Sequence, residues 1–229
     1  MLGQVDCFKG VKRNVYAELN GDKRMGKDKA GFYLHNPKIN KFAQGSPEKT
    51  KLVMMMVALS IQQPWASVGG QLQDYKQLGA ESRFVWGNKA KTLAWLDDNV
   101  DRLYADAMAV VAQYKGRELD IKLMEVFIQI DGMGLAKAGF CCQLFAGRVG
   151  CIDVHNLRRL SIPESVLKFS KKLTPKSQAK KIEAYVDACR QRRSAWLWDS
   201  WCELIAKKQP NKWTDGIQVS KVHLDYLTA

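Results

Sequence analysis

Residues 123–160 read LMEVFIQIDGMGLAKAGFCCQLFAGRVGCIDVHNLRRL, two apolar stretches joined by the turn Asp131-Gly132-Met133-Gly134 and followed by a second acid at Asp153. Leu123, Val126, Phe127 and Ile130 recur at helical spacing, and a small-residue helix is predicted from about Leu135 to Phe145. Two glycines one residue apart allow a tight reversal with positive φ and let a ligand approach the backbone. The N–H groups of Gly132, Gly134 and the residues after them then face whatever lies beyond the second helix, a position that favours a phosphate. Lys137, in the first turn, adds a charge for the same phosphate. Taken alone, the turn reads first as an ordinary connection between packed helices.

The pattern extends outward as helices on both sides. Ser46 followed by Pro47 starts one, with the apolar run from Leu52 to Ile61 as its buried face, and Pro64 bends or ends it. A second stretch, 65–79, closes near Gly79. Asp97 or Asp98 is expected to cap the next helix, which Gly116 stops, and Asp120 to cap the one leading into the turn. Thr174-Pro175 begins an amphipathic helix to about Arg192, and a tryptophan-rich one is predicted over 194–208. No strand-like alternation persists, so the fold class is all-α. The predicted division is an irregular basic arm with at most short helical pieces over 1–45, a helical domain over 46–208, and a tail over 209–229.

The charge is strongly positive, +13 over 229 residues. Residues 1–52 hold eleven basic and five acidic side chains and residues 168–193 hold nine and two, so these two stretches account for the whole excess. A balanced core with two basic flanks suits a polyanionic partner, nucleic acid before a membrane surface. The six cysteines include no C-x-x-C pair, which argues against a zinc finger or a four-cysteine iron-sulfur site. With no apolar signal core and no apolar run of membrane length, free thiols in a reducing cytoplasm are expected.

Asp153 precedes Val154-His155-Asn156-Leu157-Arg158-Arg159, a helix start, and by itself reads as an N-cap. The ordered combination says more. The hairpin, the alanine-containing helix and Ile152-Asp153-Val154-His155, together with Ala58-Leu59-Ser60-Ile61-Gln62-Gln63-Pro64-Trp65 upstream, resemble the helix-hairpin-helix DNA glycosylase superfamily, which includes endonuclease III and 8-oxoguanine glycosylase. The likeness spans about residues 50–205 and implies a two-lobed helical fold.

The resemblance implies Asp153 as the catalytic acid, the hairpin glycines as phosphate ligands, and Gln62 or Gln63 at the base pocket or filling the gap left by a flipped base. Trp65, Phe84, Trp86 and Tyr114 are candidates for stacking. Lys137, His155, Arg158 and Arg159 are candidates for phosphate contact. Ala136 stands where bifunctional members carry the catalytic lysine, and Asp131 replaces the usual proline. The iron-sulfur loop is missing. These departures point to a monofunctional hydrolase acting on duplex DNA as a monomer, without a cofactor other than a monovalent or divalent cation at the hairpin. Two alternatives stay open: a phage-type transferase that hypermodifies bases on the same fold, and a DNA-binding protein that keeps the scaffold without catalysis.

Overall fold

The computed structural model describes residues 37–63, 67–153, 157 and 168–191. The arm before residue 37, the tryptophan-rich segment 194–208, the tail 209–229, and Pro64, Trp65, His155, Arg158 and Arg159 lie outside the described residues. Within them every long element is an α-helix: α1 Pro37–Ala43, α2 Pro47–Leu59, α3 Val68–Leu78, α4 Asn88–Gln113, α5 Gly116–Phe127, α6 Leu135–Ala146 and α7 Pro175–Gln191. None is long and apolar enough to cross a membrane.

Helix α2 is the centre. Every residue from Val53 to Leu59 is at most 5% exposed, because neighbours cover the helix all round. It packs against α1, α3, α4 and α6. Its start is the expected one: Ser46 is extended and its Oγ accepts the N–H of Lys49, with Pro47 at the first helical position. Helix α3 ends as the sequence indicated, at Gly79 with φ 57°. Helix α6 is also enclosed, Ala138 through Gln143 and Phe145 being buried, and its Phe145 ring meets Phe127 of α5 edge-on at 5.4 Å between centroids.

Three boundaries differ from the sequence reading. Helix α1 lies inside the predicted basic arm, yet it belongs to the packed body: Ile39 and Ala43 are buried, and Asn40 Nδ2 donates to the carbonyls of Gln143 and Leu144 at 3.0 and 2.7 Å. With Gln44 Nε2 on the Phe145 carbonyl at 2.7 Å, α1 satisfies carbonyl groups that end α6. Helix α4 begins at Asn88, nine residues before Asp97, because the buried series Leu93, Leu96, Val100, Leu103 runs unbroken through both aspartates. Asp97 instead pairs with Lys51 of α2 at 2.6 Å.

Asp120 is likewise no cap. Helix α5 starts at Gly116, and the Asp120 carboxylate lies buried within it, taking Arg148 Nε and Arg190 Nη1 at 2.6 Å each. Arg148 also donates to the Gly116 carbonyl at 2.8 Å. One acid thereby ties α5, the turn after α6 and α7 together.

Candidate functional site

The turn between α5 and α6 divides the labour of its glycines. Gly132 has φ +76°, and a Cβ there would stand 2.6 Å from Thr92 Oγ1 and 2.7 Å from the Asn88 carbonyl oxygen. Its close approach is therefore to the chain itself, at the start of α4. Thr92 Oγ1 lies 2.7 Å from the Asp131 carbonyl, within donating distance, and so links the two elements. Gly134 is different: φ is −105°, the residue is exposed, and a Cβ would meet nothing within 4 Å. As the N-cap of α6 it opens the helix to solvent, and the helical ladder begins with Ala138 N–H on the Gly134 carbonyl. Backbone N–H groups ahead of that bond form the anion-accepting end of the helix. The Gly132 N–H is taken by Asp131 Oδ1 at 3.0 Å, which leaves the donor work to Gly134 and the residues after it.

The positive charge on the carbonyl side of the turn comes from α7's approach segment. Lys171 Nζ donates to the Gln129 and Ile130 carbonyls at 3.0 and 3.1 Å and lies 3.5 Å from Asp131 Oδ1. The ammonium serves the carbonyls that end α5 and partly offsets the Asp131 carboxylate. Lys168 and Lys172 on either side of Lys171, and Lys176 and Lys180 in α7, are exposed, and the second basic flank meets the turn through Lys171.

Asp153 is half-buried at the end of a strained connection. Between α6 and Asp153 the backbone is left-handed at Gly147 (φ 66°) and Val149 (φ 65°), with Gly150 at φ 124°. Tyr185 of α7, fully buried, fastens this connection: its hydroxyl accepts the Ile152 N–H and donates to the Gly150 carbonyl, both at 2.8 Å. Burial pushes the Tyr185 phenol well above its ordinary range, so it stays a donor. Gly139 makes room for this clamp, since a Cβ there would overlap the Gly150 carbonyl and the Tyr185 hydroxyl. Leu157 N–H donates to the Asp153 carbonyl at 2.9 Å. Tyr185 carries no motif; a buried tyrosine 32 residues from the acid gives no sequence signal.

Lys137 turns inward. Its Nζ donates to Ser60 Oγ at 2.8 Å, at the C-terminus of α2 and two residues before Gln62, and lies 5.7 Å from the Phe140 ring centre. Burial drives the Cys151 thiol up, while the charges of Asp153 and Lys137 act on it with opposite signs. Lys137 thus links the start of α6 to the end of α2 beside the glutamine turn, and its charge reaches the buried Cys151, two residues before Asp153. The structure also separates the two glutamines. Gln62 is exposed with φ +55°, a non-glycine residue in the left-handed region; Gln63 is half-buried, its Oε1 facing Gln71 Nε2 at 3.4 Å.

Of the aromatic candidates, Trp86 is 45% exposed and directly precedes α4, where Gly132 packs. Phe84 is half-buried beneath the Arg83 guanidinium, 4.9 Å from its ring centre. Tyr114, half-buried, follows α4 at the opposite end of that 26-residue helix. Cys141 and Cys142 are fully buried, and burial raises both thiols, which makes them core residues. Compared with protein-family models, with curated proteins and with solved structures, the chain has no match.

Proposed function

We propose that the protein is a DNA-binding, base-flipping enzyme of the monofunctional glycosylase type, built on a two-lobed helix-hairpin-helix scaffold. The observation that carries this reading is the bond from the Lys137 amine, at the start of α6, to Ser60 beside the Gln62 turn, with the Lys137 charge reaching the buried Cys151 two residues before Asp153. The exposed N-terminus of α6 at Gly134 accepts a backbone phosphate, with Lys168, Lys172, Lys176 and Lys180 extending the grip. Gln62, held outward by a strained backbone, fills the gap left by the flipped nucleotide, and Trp86 stacks on a neighbouring base. As the bond from C1′ to the base nitrogen breaks, its electron pair leaves with the base. The Asp153 carboxylate stabilises the oxocarbenium-like sugar, water adds to C1′, and the water proton passes to solvent.

A second reading, a transferase that modifies a base on the same scaffold, is favoured by the inward-facing amines of Lys89 and Lys137, which hydrolysis does not require. The experiment that tests the first reading incubates the protein with duplexes bearing uracil, oxidised, alkylated or hypermodified bases and measures abasic sites. Base release that disappears in Asp153→Asn supports hydrolysis. Duplex binding without base release on every substrate would sink it.

A further inference from the structure

We propose that Lys89 and Lys137 form an inner site for a phosphoryl group, distinct from the outward N–H groups of the hairpin. Lys89 is the second residue of α4. It is 0% exposed, and its Nζ has no hydrogen-bond partner among the described residues. The ammonium lies 5.1 Å from the centre of the Trp86 ring, a weak compensation for lost hydration. A buried cation without an ionic partner costs several kcal/mol, and folds ordinarily remove or pair such a group.

The surroundings increase that cost. Lys137 is close enough for its charge to act on Lys89, and its own hydrogen bond goes to a neutral hydroxyl, Ser60. Neither lysine has an ion-pair partner among the described residues. Each also stands in the first turn of its helix, where the dipole is positive, and Gly132 presses those two helix starts together. Burial first, and Lys137 second, lower the Lys89 pKa. Ser60 is no further donor, since its hydroxyl accepts from Lys137 and donates to the Val57 carbonyl at 2.7 Å. Two amines at two positive helix ends thus concentrate positive charge, with no carboxylate paired to either among the described residues.

A dianion compensates such a site better than a carboxylate does. A terminal phosphoryl group offers close to two negative charges and three acceptor oxygens, which matches the charge of two ammonium groups. The half-exposed Trp86 indole lies across Lys89 and forms the outer wall. The group has two sources: a phosphorylated small molecule, which carries the full dianion, or the backbone of bound DNA, whose phosphodiester brings one charge and two free oxygens and neutralises the site in part.

The test uses the full chain in two arms. In the first, calorimetry and thermal unfolding follow inorganic phosphate and pyrophosphate, with sulfate at equal ionic strength as reference. In the second, affinity for an undamaged duplex is measured against salt. The variants are Lys89→Met, Lys89→Arg and, as a control on the exposed face of the same helix, Lys91→Met. A soluble phosphoryl ligand is shown if pyrophosphate raises the Tm of wild type, Lys89→Arg and Lys91→Met while Lys89→Met binds at least about tenfold more weakly. That factor corresponds to one lost charge-assisted hydrogen bond. A backbone source is shown if the salt slope of duplex binding falls by about one in Lys89→Met and not in Lys91→Met. If Lys89→Met and Lys91→Met behave alike in both arms, the inner site is overturned. Lys89→Met replaces a buried unpaired cation by an apolar chain of similar length, so it is expected to fold.

Discussion

At the scale of single residues, the two non-glycine positions with positive φ among the described residues, Gln62 and Val149, both flank the candidate site. Such backbone states cost about 1–3 kcal/mol each and persist where the surrounding structure enforces them. Gln62→Gly should therefore hold or raise the melting temperature while lowering base release; a loss of both together would mean that Gln62 is a folding residue. Tyr185→Phe removes the hydroxyl that holds Gly150 and Ile152. Leaving a buried donor and acceptor unpaired should cost about 1–3 kcal/mol by urea unfolding, with a fall in kcat because Asp153 loses its anchor. An unchanged kcat in the folded variant would separate Asp153 from the clamp.

At the scale of elements, the hairpin distributes two requirements over two glycines that look equivalent in the sequence. Gly132→Ala places a Cβ against the Asn88 carbonyl in a left-handed residue, so it should destabilise by about 2 kcal/mol or more. Gly134→Ala meets nothing and has an extended backbone, so its stability should change by no more than about 0.5 kcal/mol. If the α6 N-terminus accepts a phosphate, Gly134→Ala still weakens duplex binding, because the new methyl stands where the ligand approaches. Chemical unfolding and a duplex-binding titration on the pair decide between these outcomes. The turn was legible from Gly-Met-Gly, but which glycine faces the protein and which faces solvent depends on where α4 begins, and α4 begins earlier than its aspartates suggest.

At the scale of the whole molecule, α7 is fastened to α5 by two polar links. The buried one is Asp120 with Arg148 and Arg190. Asp120→Ala should cost about 2 kcal/mol, since it removes hydrogen bonds to charged groups and frees two arginines that can still reach water. The exposed one centres on Arg117, which meets Asp187 in a bidentate pair at 2.7 and 2.9 Å and Glu183 at 3.7 Å. The Arg117 guanidinium holds the Asp187 carboxyl below its ordinary 3.8. A carboxylate whose pKa is depressed by folding stabilises above its ordinary value and loses that contribution as the pH falls through the folded one. The stability gap between wild type and Asp187→Asn should therefore be present above that ordinary value and narrow as the pH falls below it. A gap that persisted in acid would assign it to packing.

The sequence by itself determined the helical class, the start of α2 at Ser46-Pro47, the end of α3 at Gly79, the limits of α6, and the turn between α5 and α6. Each rests on local chemistry, in capping side chains, proline, glycine and the period of apolar residues. What tertiary structure decided is the assignment of the polar groups. Asp120 reads as a cap until Arg148 and Arg190, 28 and 70 residues away, arrive beside it. Lys137 reads as an outward phosphate ligand until Ser60, 77 residues away, takes its amine. A charged side chain carries no record in the sequence of which distant partner will neutralise it, because that choice is made by packing. The buried and unpaired Lys89 is visible only once the helices around it are in place.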